Sequence, residues 1–292
     1  MATNSATTRG GVLVTGASTG IGEACALYLD KLGFRVFAGV RRDADGEALR
    51  KKGSDRIAPV YIDVTDGASI AGARAVIESA AGGRGLQGLI NNAGIVVAGP
   101  LEFLPLDEFR KQLEVNVVGQ LAVTQAFLPL LRKARGRIVN IGSISGRSAT
   151  PFNGAYAASK FALEAMTDAL RVELLPWGIS VSIIEPGSVA TPIWEKSREA
   201  AGEIARRMPA EARELYALAY DAMRAAAARI AQAGIPAAEV AKVVAHALMA
   251  EKPRTRYLVG KDAKRQAVLT RLLPDRLHDR LVIKYLGLPT AP

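Results

Sequence analysis

Cysteine occurs once in these 292 residues, at Cys25. No intrachain disulfide is possible, and a reducing compartment is expected. Cys25 follows a glycine-rich turn inside a helical pattern, where burial rather than reactivity is expected. Histidine occurs only twice, as His246 and His278, far apart and without a cysteine cluster. No metal site is expected. Aromatic residues make up 5% of the chain, and no basic-aromatic reading motif accompanies them, so nucleic acid is not an expected partner. No uninterrupted run of 18 or more apolar residues is present, and no transmembrane helix is expected. The leading "MATNSATTRGG" is polar and lacks the apolar stretch of a signal peptide. These absences together suggest a cytoplasmic protein.

The chain does have a charge excess and many small apolar residues. Its formal net charge is +10, and much of the excess lies beyond Lys252. A solvated basic surface accounts for it, as would an anionic cofactor, an acidic partner or an anionic membrane surface. Hydrophobic residues reach 49%, rich in Ala, Val, Ile, Leu and Gly. That composition suits helices packed on a parallel sheet.

Short apolar strands alternate with helical patterns along the chain. "GVLVT", "RVFAGV", "APVYIDV", "GLQGLINNAG", "GRIVNIGS" and "ISVSIIEPG" read as six strands, with "TRYLVG" as a seventh. Strands that are apolar on both faces and separated by helices predict an α/β fold, a doubly wound parallel sheet with helices on both faces. Residues 191 to about 250 break the alternation. They read as two helices forming a lid over a pocket at the strand ends, with extra packing or an oligomer contact as the other reading. The tail "LLPDRLHDRLVIKYLGLP" reads as one short helix that packs on the lid, a partner subunit or a membrane surface. One domain is expected over 1–292: a cofactor and catalytic core at 11–191, a lid at 192–250, then the last strand and tail at 251–292.

"TGASTGIG", residues 15–22, joins the first strand to the first helix. Gly16, Gly20 and Gly22 allow a tight turn and close backbone approach. The helix N-terminus, with Ser18, Thr19 and Ile21, offers free N–H groups to a pyrophosphate. Arg41 and Arg42 follow the second strand, where a carboxylate would hold ribose hydroxyls; an arginine instead suits a 2′-phosphate. This favours NADP(H) and leaves NAD(H) open, since Asp43 and Asp45 are close by. Further on, Tyr156 and Lys160 stand four residues apart in a helical run, so phenol and ammonium share one face. The pair is either a surface contact or a device for changing the acidity of the phenol.

Four elements occur in order: "TGASTGIG", "NNAG" at 91–94, Ser143 in "NIGSIS", and "YAASK" at 156–160. With Asn116 in "EVNVVG" and "PGSVAT" at 186–191, this ordered set resembles the classical short-chain dehydrogenase/reductase family over residues 11 to about 191. The resemblance implies a Rossmann-type fold, and hydride transfer between a nicotinamide cofactor and a secondary alcohol or ketone. It makes Tyr156 the general acid/base, with Lys160 and the oxidised nicotinamide lowering its pKa toward the working pH. Ser143 would orient the substrate oxygen, and Asn116 would hold a relay water. Asp63 and Val64 would flank the adenine. Asn91, Asn92, Ala93 and Gly94 would support the central strand and touch the adenosine side. Pro186, Gly187, Val189 and Thr191 would lie along the nicotinamide end. A homodimer or homotetramer is also implied.

Val96, Val97, Phe152, Ile193 and Trp194 would border an apolar substrate pocket, and the lid and tail resemble the steroid, retinoid and hydroxybutyrate dehydrogenase branches. A hydrophobic alcohol or ketone is expected. Arg147 is the candidate for recognising a carboxylate instead. A non-catalytic NADP(H) sensor on the same fold is the alternative function, although the intact Ser-Tyr-Lys set argues against it. An epimerase or dehydratase with bound NAD is disfavoured by the missing long C-terminal substrate domain.

Overall fold

A computed structural model of the protein describes residues 9–290. The polar leader at 1–8 lies outside them. The chain alternates β1 (Arg9–Val14), α1 (Gly20–Lys31), β2 (Phe34–Val40), α2 (Asp43–Arg50), β3 (Ile57–Tyr61), α3 (Gly67–Ala81) and β4 (Leu86–Asn91). A long helix follows, built from α4 (Leu106–Leu113), a π-helical turn at Glu114–Val118 and α5 (Gly119–Ala134). Then come β5 (Arg137–Ile141), α6 (Gly154–Glu173) and β6 (Ser180–Pro186). The remainder is β7 (Val189–Ala190), α7 (Ile193–Arg207), α8 (Ala210–Gln232), β8 (Ile235–Pro236), α9 (Ala237–Met249), β9 (Arg256–Val259), α10 (Lys261–Leu272) and α11 (Asp275–Leu286).

Seven strands form one parallel sheet in the order β3-β2-β1-β4-β5-β6-β9. The chain winds outward from β1 in one direction and from β4 in the other. A crevice therefore opens between them at the carboxyl ends of the strands. Side chains alternate across the sheet. Val12 and Val14 face a core shared with α1 and α9, while Leu13 faces one shared with α3 and α5.

Three helices, not two, separate β6 from β9. Only α7 and α8 stand apart from the sheet, over a small apolar cluster that includes Val97, Leu104, Ile204, Met208 and Ala212. The expected lid at 192–250 is therefore too long at its C-terminal end. α9 buries Val240, Ala241, Val244 and Leu248 against α1 and the sheet. Its apolar stripe resembles that of a lid helix, but its partner is the central core. The tail at 272–289 forms one helix, α11, and a further helix, α10, precedes it. α11 packs on α8, with Arg229 Nη2 donating to the Tyr285 carbonyl at 3.0 Å.

The Leu106–Ala134 helix is long and apolar enough, by length and composition alone, to cross a membrane. This qualifies the expectation from uninterrupted runs. Its residues Val123, Phe127, Leu130 and Leu131 are buried in the core beneath the sheet, the place of a core helix.

Candidate active site

The turn after β1 needs glycine at two positions. Gly16 and Gly20 both have φ near +63°, a conformation L-residues rarely adopt. A Cβ at Gly16 would lie 2.9 Å from the Ala93 Cα, and one at Gly20 would lie 3.2 Å from Thr191. The glycine turn, the exit from β4 and the start of the lid therefore converge. Thr19 is the N-cap residue of α1, yet its side chain makes no capping hydrogen bond, so the first helical turn presents its N–H groups to the crevice.

The crevice is a cleft of about 3240 Å³. It is lined by Gly16, Ser18, Thr19, Gly20, Ile21, Arg41, Arg42, Asp63, Val64, Asn92, Ala93 and Gly94 along one end. Asn116, Ser143, Tyr156, Lys160, Pro186, Gly187, Val189 and Thr191 line it further on. These residues, with the uncapped helix start and the glycines at 16 and 20, fit an extended dinucleotide.

Two expected cofactor residues do not line the cleft. Gly22 faces the turn itself, where a Cβ would meet the Gly16 carbonyl oxygen. Asn91 is buried and donates to Thr124 Oγ1 and Asn140 Oδ1, both at 2.9 Å. Alternation along β4 turns its side chain into the protein while Asn92 faces the turn. Asn92 Nδ2 donates to the Thr15 carbonyl at 2.9 Å and the Gly16 carbonyl at 3.1 Å.

The two arginines after β2 differ. Arg42 is locked in a two-point contact with Asp45, at 2.8 and 2.9 Å. Arg41 is largely exposed, with Nη1 4.0 Å from Asp63 Oδ2. Burial alone would raise the pKa of Asp63. Bonds from the Thr65 N–H and hydroxyl, with the charge of Arg41, outweigh it and hold the carboxyl below its usual range.

Tyr156 and Lys160 project from the first two turns of α6. Tyr156 keeps some surface open to the cleft, but protein surrounds its hydroxyl. Burial pushes the phenol above its ordinary 10, and a hydrogen bond with Ser143 acts the other way. Lys160 Nζ lies 5.7 Å from the centre of the Tyr156 ring and donates to the Ile141 carbonyl at 2.7 Å. Burial pulls Lys160 down to about 8, against the attraction of Glu164. Ser143 caps a short 3₁₀ turn, Ile144–Gly146, and its Oγ accepts from the Ser145 N–H at 3.1 Å.

Asn116 sits in the π-helical turn. Its Oδ1 accepts from the Ile95 N–H at 2.9 Å, and its Nδ2 donates to the Ile95 carbonyl and to Ser159 Oγ, both at 3.1 Å. Its side chain is thus committed to the protein. Three further buried residues on the same helix make similar contacts and were not expected from sequence. Gln112 accepts from the Val97 N–H at 2.7 Å, Gln120 donates to the Ala93 carbonyl at 3.1 Å, and Thr124 accepts from Asn91. Their four-residue spacing was the available signal.

On the substrate side, Val96, Phe152, Ile193, Trp194, Tyr220, Leu281 and Val282 make an apolar wall. Trp194 Nε1 anchors the lid by donating to the Val189 carbonyl at 2.9 Å. Val97 belongs instead to the buried cluster under the lid. Arg147 is also withdrawn from the cleft. Its guanidinium grips the fully buried Glu185 at 2.5 and 2.9 Å, leaving it unavailable to a substrate carboxylate. Among the described residues, no group of three His, Cys, Asp or Glu side chains is placed to hold a metal.

The sequence profile of the family described as "short chain dehydrogenase" matches residues 11–202. The chain is a short-chain dehydrogenase. Like the family it belongs to, it is an NAD(P)-dependent oxidoreductase acting on the alcohol–ketone couple. This short-chain dehydrogenase is 39% identical over 282 residues to 17-beta-hydroxysteroid dehydrogenase type 6 of Bos taurus, covering 94% of this chain and 87% of that one. It is 38% identical over 285 residues to retinol dehydrogenase 5 of Mus musculus, covering 95% and 89%. Among solved structures, it superposes on a short-chain dehydrogenase from Streptomyces avermitilis with a TM-score of 0.74, at 28% identity, covering 98% and 100% of the two chains. A short chain dehydrogenase from Burkholderia cenocepacia, solved in complex with NADP, gives 0.71 at 30% identity, covering 93% and 96%.

Proposed function

We propose that this dehydrogenase uses NADP(H) to interconvert a secondary alcohol and a ketone on a hydrophobic molecule of steroid, retinoid or lipid-like type. The observation that carries the reading is the convergence of Ser143, Tyr156 and Lys160 on one cleft whose far wall is apolar. The names of the hydroxysteroid and retinol dehydrogenase relatives support it.

Bound dinucleotide supplies or accepts the hydride. Gly16, Ser18, Thr19, Gly20 and Ile21 would hold its pyrophosphate, Arg41 a 2′-phosphate, and Val189 and Thr191 the far end. Tyr156 gives a proton to the carbonyl oxygen in reduction and takes one from the alcohol in oxidation. Its raised pKa keeps it protonated at neutral pH, which suits reduction. Ser143 donates a hydrogen bond to the same oxygen and fixes its position. Lys160 sets a positive charge beside the phenol. A relay water at Asn116 would have to use its backbone carbonyl, because the side chain is committed.

The same reading makes the protein a cytoplasmic homodimer or homotetramer. Exposed Phe161 and Val172 on α6, with Val118 at the end of the π-helical turn, supply an apolar face for such contact.

Titration of the purified protein with NADPH and NADH, followed by fluorescence, tests the cofactor assignment. NADPH is expected to bind more tightly. Arg41→Ala should weaken it about 10- to 100-fold, the scale of a lost charge-assisted hydrogen bond, with little change for NADH. Equal binding of the two cofactors would reject the 2′-phosphate role. A substrate panel in which only small polar sugars turn over would reject the apolar substrate class.

A further inference from the structure

Histidine is scarce in this chain, and His278 lines the main cleft. It lies on α11, one turn before Leu281 and Val282 of the apolar wall. Gln266 holds a matching place on α10, one turn before Leu269, and also lines the cleft. Both are tied from behind to Ser148, which is buried and lies outside the cleft lining. Gln266 Nε2 donates to Ser148 Oγ at 3.0 Å, and His278 Nε2 is 3.4 Å from the same oxygen. Two polar side chains from two helices are thus set into an otherwise apolar wall.

A serine hydroxyl has one proton to donate. Ser148 accepts from Gln266, and among the described residues His278 Nε2 is the acceptor for its own proton. The imidazole proton then sits on Nδ1. His278 Nδ1 and Gln266 Oε1 bond no other protein group among the described residues, yet neither is a buried orphan, so both stay open. The pair offers a ligand one donor and one acceptor, the complement of an alcohol hydroxyl.

The pair stands one short span from the chemistry. α10 begins next to the residues that would hold the far end of the dinucleotide, where the Ser188 N–H donates to Asp262 Oδ2 at 2.6 Å. Gln266 is four residues further, about 6 Å along the helix. On the other side, the Ser148 N–H donates to the Ile144 carbonyl at 3.1 Å, so the chain winds helically beyond Ser143. Ser148 therefore lies roughly 10 Å from Ser143. One molecule can reach both sites, but only with two separate oxygens.

We propose that Gln266 and His278 form a second recognition site for the substrate, binding a hydroxyl at the end of its apolar body away from the reacting carbon. The substrate class is then a hydrophobic molecule oxygenated at both ends, a hydroxyketone or a diol. The inference rests on the apolar alcohol–ketone reading above. Ser148 is the positioning residue, since it holds both side chains from outside the cleft.

The test is steady-state reduction of a steroid ketone that carries a hydroxyl at the opposite end of its ring system, and of the same ketone without that hydroxyl. A medium-chain hydroxyketone and its deoxy counterpart form a second pair, and each is measured with NADPH and with NADH. The parent is expected to favour the hydroxylated member by about 10- to 100-fold in kcat/KM, the scale of two hydrogen bonds. His278→Leu and Gln266→Leu should each shrink that ratio about 10-fold, and either serves if the other does not fold. Ser148→Ala should shrink it through KM rather than kcat. Equal kcat/KM within both pairs, or an unchanged ratio in the folded leucine variants, overturns the proposal. Turnover of neither pair marks failure of the apolar alcohol–ketone reading itself, and the second site falls with it.

Discussion

Tyr156→Phe is expected to lower kcat by about 10³-fold, within the range for removal of a positioned acid/base. Binding of the dinucleotide should change little. The substitution deletes one oxygen and keeps the ring that packs at the cleft beside Lys160. It removes the proton that the substrate oxygen would receive in reduction. Ser143 and Lys160 remain, so some activity should persist from orientation and charge alone. Steady-state turnover and cofactor titration on the same preparation give both numbers. Retention of more than about a tenth of the parent turnover would remove Tyr156 from the chemistry.

Lys160→Met is expected to act in opposite directions on activity and stability. Turnover should fall by about 10²-fold or more as the charge beside the phenol disappears. The cofactor-free protein should become more stable below pH 8. An unfolded lysine keeps its proton to about 10.5, whereas folded Lys160 keeps it only to about 8. Between those values the unfolded state binds more protons, so the stability of the parent rises with pH across that window. The full increment is about 3 kcal/mol, and the methionine variant should lack it. Loss of the bond to the Ile141 carbonyl offsets part of the gain. The melting temperature near pH 7 should still rise by a few degrees, at about 3 °C per kcal/mol.

Glu164 works below that window with the opposite sign. Folding raises its pKa from 4.5 to about 8, so its contribution is complete at low pH and is lost as the pH rises through that interval. The free parent should be least stable near pH 8. A thermal-melt series from pH 5 to 10 checks both slopes, and a flat parent profile would reject both assignments.

What sequence could reveal here was whatever lies close along the chain. Strand and helix periods, the glycine turn at 16–22 and the Tyr156–Lys160 step are local patterns, and they locate the sheet and its crevice. Long-range features were not legible in this way. α9 and the lid helices have similar Ala-rich stripes, and only tertiary packing separates them. The carboxyl and guanidinium groups of Glu164, Glu185, Arg147 and Arg256 come from four different elements. Burial of the Tyr156 hydroxyl, which raises its pKa in the free protein, is invisible in a five-residue motif. Arg42 looked equivalent to Arg41, yet the position of Asp45 at the start of α2 decides which guanidinium is free.

Gln112, Asn116, Gln120 and Thr124 form a vernier between a helix and an extended chain. Four helical residues advance about 6.0 Å, and two extended residues about 6.6 Å. The two elements are therefore nearly commensurate, which lets the helix meet positions 97, 95, 93 and 91 in turn. Angle is the difficulty. Steps of four in a regular α-helix drift by about 40° each, carrying the last contact far around the helix. The π-helical turn at Glu114–Val118 takes up part of that drift in the middle of the scale. One residue of slack in the winding thus lets a single helix address a whole strand exit, the segment on which Asn92, Ala93 and Gly94 face the cleft.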